Sequence, residues 1–223
     1  MMISRAYHGL DFCIARSEGN RVCYILLPEG LREDGMKALE ECAARHQCSI
    51  VLVTGMDWNK DLTPWPAPGI FKKEKPFGGY AKDFLKDLLN EYFPSIESFL
   101  NVKTPERFLV GVSLSGLFAV WSLWATDSFK AVASVSGSLW YDGLIPWAQS
   151  TDIVNSKAKV FLSLGDKEKK SKDTRLAMVE DTSATISAIL AQKGCPVEFK
   201  LVPGTHFSPI VPRLEKALDS ILG

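Results

Sequence analysis

The chain has 223 residues, 46% of them hydrophobic and 23% charged, which suits one sizeable α/β domain over 1–223. Its 26 basic and 26 acidic residues cancel, so neither a basic face for nucleic acid nor an acidic tail is implied. No apolar run approaches the roughly 18 residues that span a bilayer.

The opening Met-Met-Ile-Ser-Arg lacks the charged-then-apolar pattern of a signal segment. Five cysteines (13, 23, 42, 48 and 195) are an odd number without a repeated short spacing, which argues against a disulfide framework. Cys42, His46 and Cys48 lie on and just after a predicted helix with no fourth ligand evident, so packing is preferred to metal binding there. A cytoplasmic chain with no metal, no cofactor and no nucleic-acid or membrane partner is expected; the oligomeric state is left open.

In chain order, the runs 11–16 and 21–27 read as strands, with Ser17-Glu-Gly-Asn20 as a turn between them. They suggest an opening hairpin. The second run is mostly apolar, as a central strand would be, and stops at Pro28-Glu29-Gly30. A helix is predicted over 33–46 and a buried strand over 49–54. Residues 55–79 carry four prolines together with Trp58, Trp65 and Phe71. A connection this long without regular structure is often functional; it is either a wall of the site or a surface excursion pinned by its own aromatics.

Residues 80–93 form an amphipathic helix that Pro94 is expected to end. Phe108–Val112 suits a buried strand, and Leu117–Trp124 is apolar almost all round, which suits a buried helix. Strands follow at 131–136, 159–164 and 197–202. Helices are predicted over 174–193, stopped by Gly194, and over 210–222. Repeated strand–helix alternation argues for one mainly parallel sheet with helices on both faces. Active residues in such sheets lie beyond the carboxyl ends of the strands.

Between Phe108–Val112 and Leu117 the chain must reverse within a few residues, and Ser113 sits at the reversal. Gly111-Val-Ser113-Leu-Ser115 has the spacing of a nucleophile elbow, Gly-x-Ser-x-Gly, with Ser115 in the last position and Gly116 after it. A serine hydroxyl needs a neighbouring base. Of the three histidines, only His206 directly follows a late strand, in Pro203-Gly-Thr-His206. The imidazole in turn needs an acid. Gly165-Asp-Lys-Glu168 ends the intervening strand, and its Gly-x-x-acid pattern selects Glu168 ahead of Asp166, with Asp142 and Asp173 behind. The developing oxyanion needs donors. The N–H of Leu114 is one candidate. The turn Pro28–Leu31, where Gly30 permits close approach, would supply the second.

These motifs, with the run from Asp57 to Trp65 (Asp61-Leu-Thr-Pro-Trp65 above all), resemble the α/β-hydrolase superfamily. Within it they are similar to the esterases grouped with esterase D and the siderophore (enterobactin-type) esterases. The resemblance covers nearly the whole chain. It implies an α/β-hydrolase fold and serine hydrolysis of carboxylic esters. Ser115 departs from the usual Gly, and no large lid or N-terminal domain is present, which weighs against a bulky siderophore substrate. An aromatic wall from Trp58, Trp65 and Trp140 favours small to medium uncharged or aromatic esters. Acyl transfer or peptide cleavage on the same residues, or a catalytically silent ligand-binding member, are the alternatives.

Overall fold

The computed structural model describes residues 2–70 and 75–223; residue 1 and the loop aromatic Phe71 lie outside them. Eight strands form one sheet in the order β1-β2-β4-β3-β5-β6-β7-β8. They are β1 (Met2–Tyr7), β2 (Leu10–Ala15), β3 (Arg21–Leu26), β4 (Ser49–Thr54), β5 (Glu106–Val112), β6 (Phe129–Val135), β7 (Lys159–Gly165) and β8 (Val197–Val202). From β4 to β8 every neighbouring pair is parallel.

The opening hairpin differs from the expected one. β2 pairs with β1 and β4, not with β3. The tight turn is His8-Gly9, where both residues have positive φ (48° and 89°), the backbone handedness that two-residue hairpins require. The Ser17–Asn20 turn instead sends the chain past β4 to the middle of the sheet, where β3 is apolar because helices cover both its faces.

Side chains alternate along these strands. Tyr24, Leu26, Leu109 and Val132 join one core and Cys23, Ile25, Phe108, Val110 and Ala133 the other. Helix α1 (Glu33–His46) and the last helix, α8 (Val211–Leu222), cover the second face through Leu39, Ala43, Leu214 and Leu218. The first face is covered by α2 (Ala81–Asp87), α3 (Phe93–Leu100), α4 (Leu114–Trp121), α5 (Leu144–Ser150) and α7 (Val179–Gln192), which follows the single turn α6 (Thr174–Ala177).

Two helical expectations change. Pro94 does not end the helix that starts at Ala81. A π-helical turn, Leu88–Tyr92, comes first, in which the Phe93 N–H reaches back five residues to the Leu88 carbonyl. Pro94 then falls in the first turn of α3, where its missing N–H costs little. The 174–193 helix breaks at Met178 between α6 and α7.

Candidate active site

Four adjacent parallel strands, β5 to β8, end along one edge. Val112 is paired with Val135, Val135 with Ser163, and Gly165 with Val202. The residues that follow these strand ends are therefore neighbours: Ser113 after β5, Ser136 after β6, Glu168 after β7 and His206 after β8. On the other side of β5, Leu26 at the end of β3 lies opposite Gly111, so the 28–31 turn leaves the sheet beside Ser113. Gly30 itself is exposed, and a Cβ there would meet nothing within 4 Å. Leu114 is the first residue of α4, so its N–H has no partner within the helix.

Ser113 has φ 56° and ψ −120°, a conformation that costs a non-glycine residue on the order of 1–3 kcal/mol. Three backbone bonds hold it. Its N–H donates to Val135 O at 3.1 Å, and its carbonyl accepts from Leu117 N at 3.1 Å and Ser138 N at 2.9 Å. The turn is tight enough that a Cβ on Gly111 would lie 1.9 Å from Ser115 O, and one on Gly116 would lie 2.7 Å from Ser134 Oγ. Glycine is required at both positions.

Ser115, the departure from the usual pattern, is fully buried and fully used. Its hydroxyl accepts from Val112 N–H at 2.7 Å and lies 2.7 Å from Leu26 O and 2.9 Å from Val112 O. The extra side chain thus ties the elbow to β3 rather than loosening it.

His206 Nδ1 lies 2.9 Å from Glu168 Oε2. The other carboxylate oxygen, Oε1, accepts from Gly165 N–H at 2.8 Å and from the Ser136 hydroxyl, with Arg213 Nη2 at 3.4 Å. Burial alone would raise the Glu168 carboxyl, but the bonds from His206, Ser136 and Gly165 outweigh it and leave it below the usual range. Glu168 is therefore ionised at neutral pH.

The other acids have separate places. Asp166 Oδ1 accepts from Gly204 N–H at 2.9 Å, shaping the loop that carries His206. Asp142 pairs with Arg175 at 3.1 Å. Asp173 caps α6 through Arg175 N and Leu176 N. None of these three has a described contact with His206. Ser113 Oγ lies 3.5 Å from Ser138 Oγ and makes no hydrogen bond to His206 among the described residues.

The aromatic residues join two loops. Trp65 Nε1 donates to Asp142 O at 2.8 Å, and its ring lies 5.2 Å from Trp147. Tyr141 donates to Trp65 O at 2.5 Å. Arg175 donates to Gly69 O at 3.0 Å and lies 5.1 Å from the Trp140 ring. Trp58 is partly buried against the core of the first face. The Asp57–Trp65 run is self-pinned: Asp57 N–H donates to Asp61 Oδ2 at 2.9 Å, and buried Thr63 accepts from Gly79 N–H at 2.9 Å.

Sequence reasoning missed Ser136, Ser138, Arg175 and Arg213. The first two stand where β6 ends, at the sheet edge that carries Ser113. Arg213 stands four residues before Ala217, on the buried stripe of α8, and a charged residue in such a stripe is a signal in itself.

A family model described as "Putative esterase" matches residues 24–209. The chain belongs to this esterase family. It is thus a carboxylic-ester hydrolase. Among curated proteins it is 27% identical over 184 residues to YbbA of Bacillus subtilis (strain 168), an uncharacterized protein, covering 80% of this chain and 74% of YbbA. Among solved structures it is similar to an IroE-like serine hydrolase from Shewanella oneidensis, with 21% identity, a TM-score of 0.77, and coverage of 100% of this chain and 78% of that one. It is also similar to IroE, a hydrolase of enterobactin and salmochelin, at 20% identity and a TM-score of 0.68, covering 100% and 95%. At these identities the structures speak for the α/β-hydrolase fold.

Proposed function

We propose that the chain hydrolyses small to medium carboxylic esters through an acyl-enzyme on Ser113, with His206 as general base and acid and Glu168 as the acid that orients it. The observation that carries this reading is the His206–Glu168 contact at 2.9 Å, formed between the loops after the adjacent strands β7 and β8, on the same sheet edge as the strained Ser113 at the end of β5. His206 takes the Ser113 proton as Oγ attacks the acyl carbon, and Glu168 steadies the imidazolium. The oxyanion receives the N–H of Leu114 and one from the Pro28–Leu31 turn, near Gly30. The tetrahedral adduct expels the alcohol, which takes the proton from His206. Water, deprotonated by the same imidazole, then releases the acid and regenerates Ser113. Catalytic hydrogen bonds are often loose without substrate, in keeping with Ser113 Oγ facing Ser138 here.

Substrate size is read from the loops. Trp140 follows Ser138, whose N–H is bonded to Ser113 O, so we assign Trp140 and the Trp65 loop pinned to its segment to one wall of the site, and Trp58 to the same wall from the sequence pattern alone. Large rings of this kind bury wide area with few rotamers to fix. Five free thiols fit a reducing compartment, and we place the enzyme in the cytoplasm. The test is hydrolysis of p-nitrophenyl acetate and butyrate beside a peptide and a siderophore trilactone. Turnover of the short esters, abolished by Ser113→Ala and His206→Ala, is expected. Peptide cleavage without ester turnover would overturn the reading.

A further inference from the structure

Ser136 is the second strained serine of the catalytic edge. Its φ is 49°, a backbone state in which glycine is at ease and a side chain is not. It is buried, its N–H is bonded to Ser163 O at 2.7 Å, and its hydroxyl donates to Glu168 Oε1. A non-glycine residue persists in such a state where its surroundings over-determine it, and such sites cluster at functional centres.

The same hydroxyl accepts from Arg213 Nη2. Arg213 is 7% exposed, and its Nε and Nη1 have no hydrogen-bond partner among the described residues. Burial lowers its pKa, against the pull of Glu168. A buried cation with only one of its three nitrogens engaged is a poor stabilising device, since desolvation offsets most of the attraction. Yet that one nitrogen reaches both Ser136 Oγ and, at 3.4 Å, Glu168 Oε1.

Resting on the triad reading above, we propose that Ser136 and Arg213 are positioning residues for the triad acid. Ser136 fixes the carboxylate so that Oε2 alone faces His206. Arg213, from α8, draws part of the carboxylate's charge away from the imidazole. Two other charged groups of this loop are engaged elsewhere. Asp166, in the same loop as Glu168, is bonded to Gly204 N–H, and Lys169 pairs with Glu180 of α7 at 2.9 Å. Lys167 lies between them in sequence and has its N–H on Gly204 O.

Ser136→Gly separates the hydroxyl from the fold, because glycine suits φ 49° better than serine does. The variant should stay folded, because the strain relieved at this backbone angle offsets part of the lost hydrogen bonds. Its kcat should fall about ten- to a hundredfold, the range for losing an orienting partner in metal sites, with KM little changed. Arg213→Met removes one partner of a buried pair and should lose stability, but the bonds from His206, Ser136 and Gly165 still hold the carboxylate, so its pH profile is read at a temperature where the variant is shown to be folded.

With Arg213 gone, the uncompensated carboxylate favours the charged imidazole. The acid limb of kcat/KM should then move to higher pH, by about one unit, an ordinary size for such effects in folded proteins. Arg213→Lys, which keeps the charge, should hold the limb in place. An unchanged kcat in Ser136→Gly overturns the role of Ser136. A uniform loss at every pH in Arg213→Met, with an unmoved limb, overturns that of Arg213. A wild-type chain that neither turns over p-nitrophenyl acetate nor takes a fluorophosphonate label at Ser113 would sink the triad reading and this inference together.

Discussion

His206 Nδ1 and Glu168 Oε2 stand 2.9 Å apart, while Asp166, two residues before Glu168, is turned to the Gly204 N–H at 2.9 Å. The two carboxylates of one loop thus have different tasks. Glu168→Gln keeps the shape and removes the charge that the proposed mechanism uses to steady the imidazolium. Its kcat should fall by about 10⁴-fold, as for the matching change in a serine protease, against roughly 10⁶-fold for Ser113→Ala by analogy with subtilisin. Asp166→Asn keeps an oxygen for Gly204 and should stay near wild type. Steady-state kinetics on a p-nitrophenyl ester decide it; a crippled Asp166→Asn beside a mild Glu168→Gln would move the acid to Asp166.

Glu168 also makes stability depend on pH. The bonds from His206, Ser136 and Gly165 hold its folded-state carboxyl below the ordinary glutamate value of about 4.5. The folded state therefore binds this proton less readily than the unfolded chain does. The stabilisation it contributes is present above about pH 4.5 and is lost as pH falls through the lower folded value. Urea midpoints between about pH 6 and 3 should decline in the wild type and decline less in Glu168→Gln. Parallel curves for the two proteins would contradict the assignment.

Ser115 is expected to be structural. Its hydroxyl serves the Val112 N–H and the Leu26 carbonyl in a fully buried setting. Ser115→Ala leaves those groups without that partner, at a cost of about 1–3 kcal/mol. Ser115→Gly restores the commoner motif yet should also lose stability. Chemical denaturation reads both, and an unchanged midpoint for Ser115→Gly would mean the hydroxyl carries nothing.

The cysteines should be bystanders. Burial raises the Cys23 thiol well above its usual value, Cys42 to about 11 and Cys48 to about 12, and it raises Cys195 as well. Thiols of this kind are inert to alkylation near neutral pH. Iodoacetamide on the native protein should reach the half-buried Cys13 first and leave ester turnover intact. Loss of activity that tracks modification of any one cysteine would point to thiol chemistry.

Much of the fold was legible because its signals are local. The periodicity over 33–46 and the apolar run 49–54 match α1 and β4, and the Gly111–Gly116 spacing marks the elbow because sterics leave no other residue at Gly111. Strand pairing was not legible. The runs 11–16 and 21–27 look like a hairpin, but β4 inserts between them, a long-range choice that no turn signal records. Pro94 misled because a π turn ahead of it absorbs the missing N–H. At the site, Ser113, His206 and Glu168 each sit in a motif. Ser136 and Arg213 do not, since what singles them out is a backbone angle and a burial that exist only once β6 and α8 are in place.

The most direct measurement is the intact mass and peptide map of the protein after a fluorophosphonate reagent, with and without a short-chain ester present. One covalent adduct on Ser113 is expected, slowed by the ester, absent in Ser113→Ala and strongly reduced in His206→Ala. An unlabelled protein that still hydrolyses the ester, or an adduct on another residue that accounts for the loss of activity, would contradict a nucleophilic Ser113.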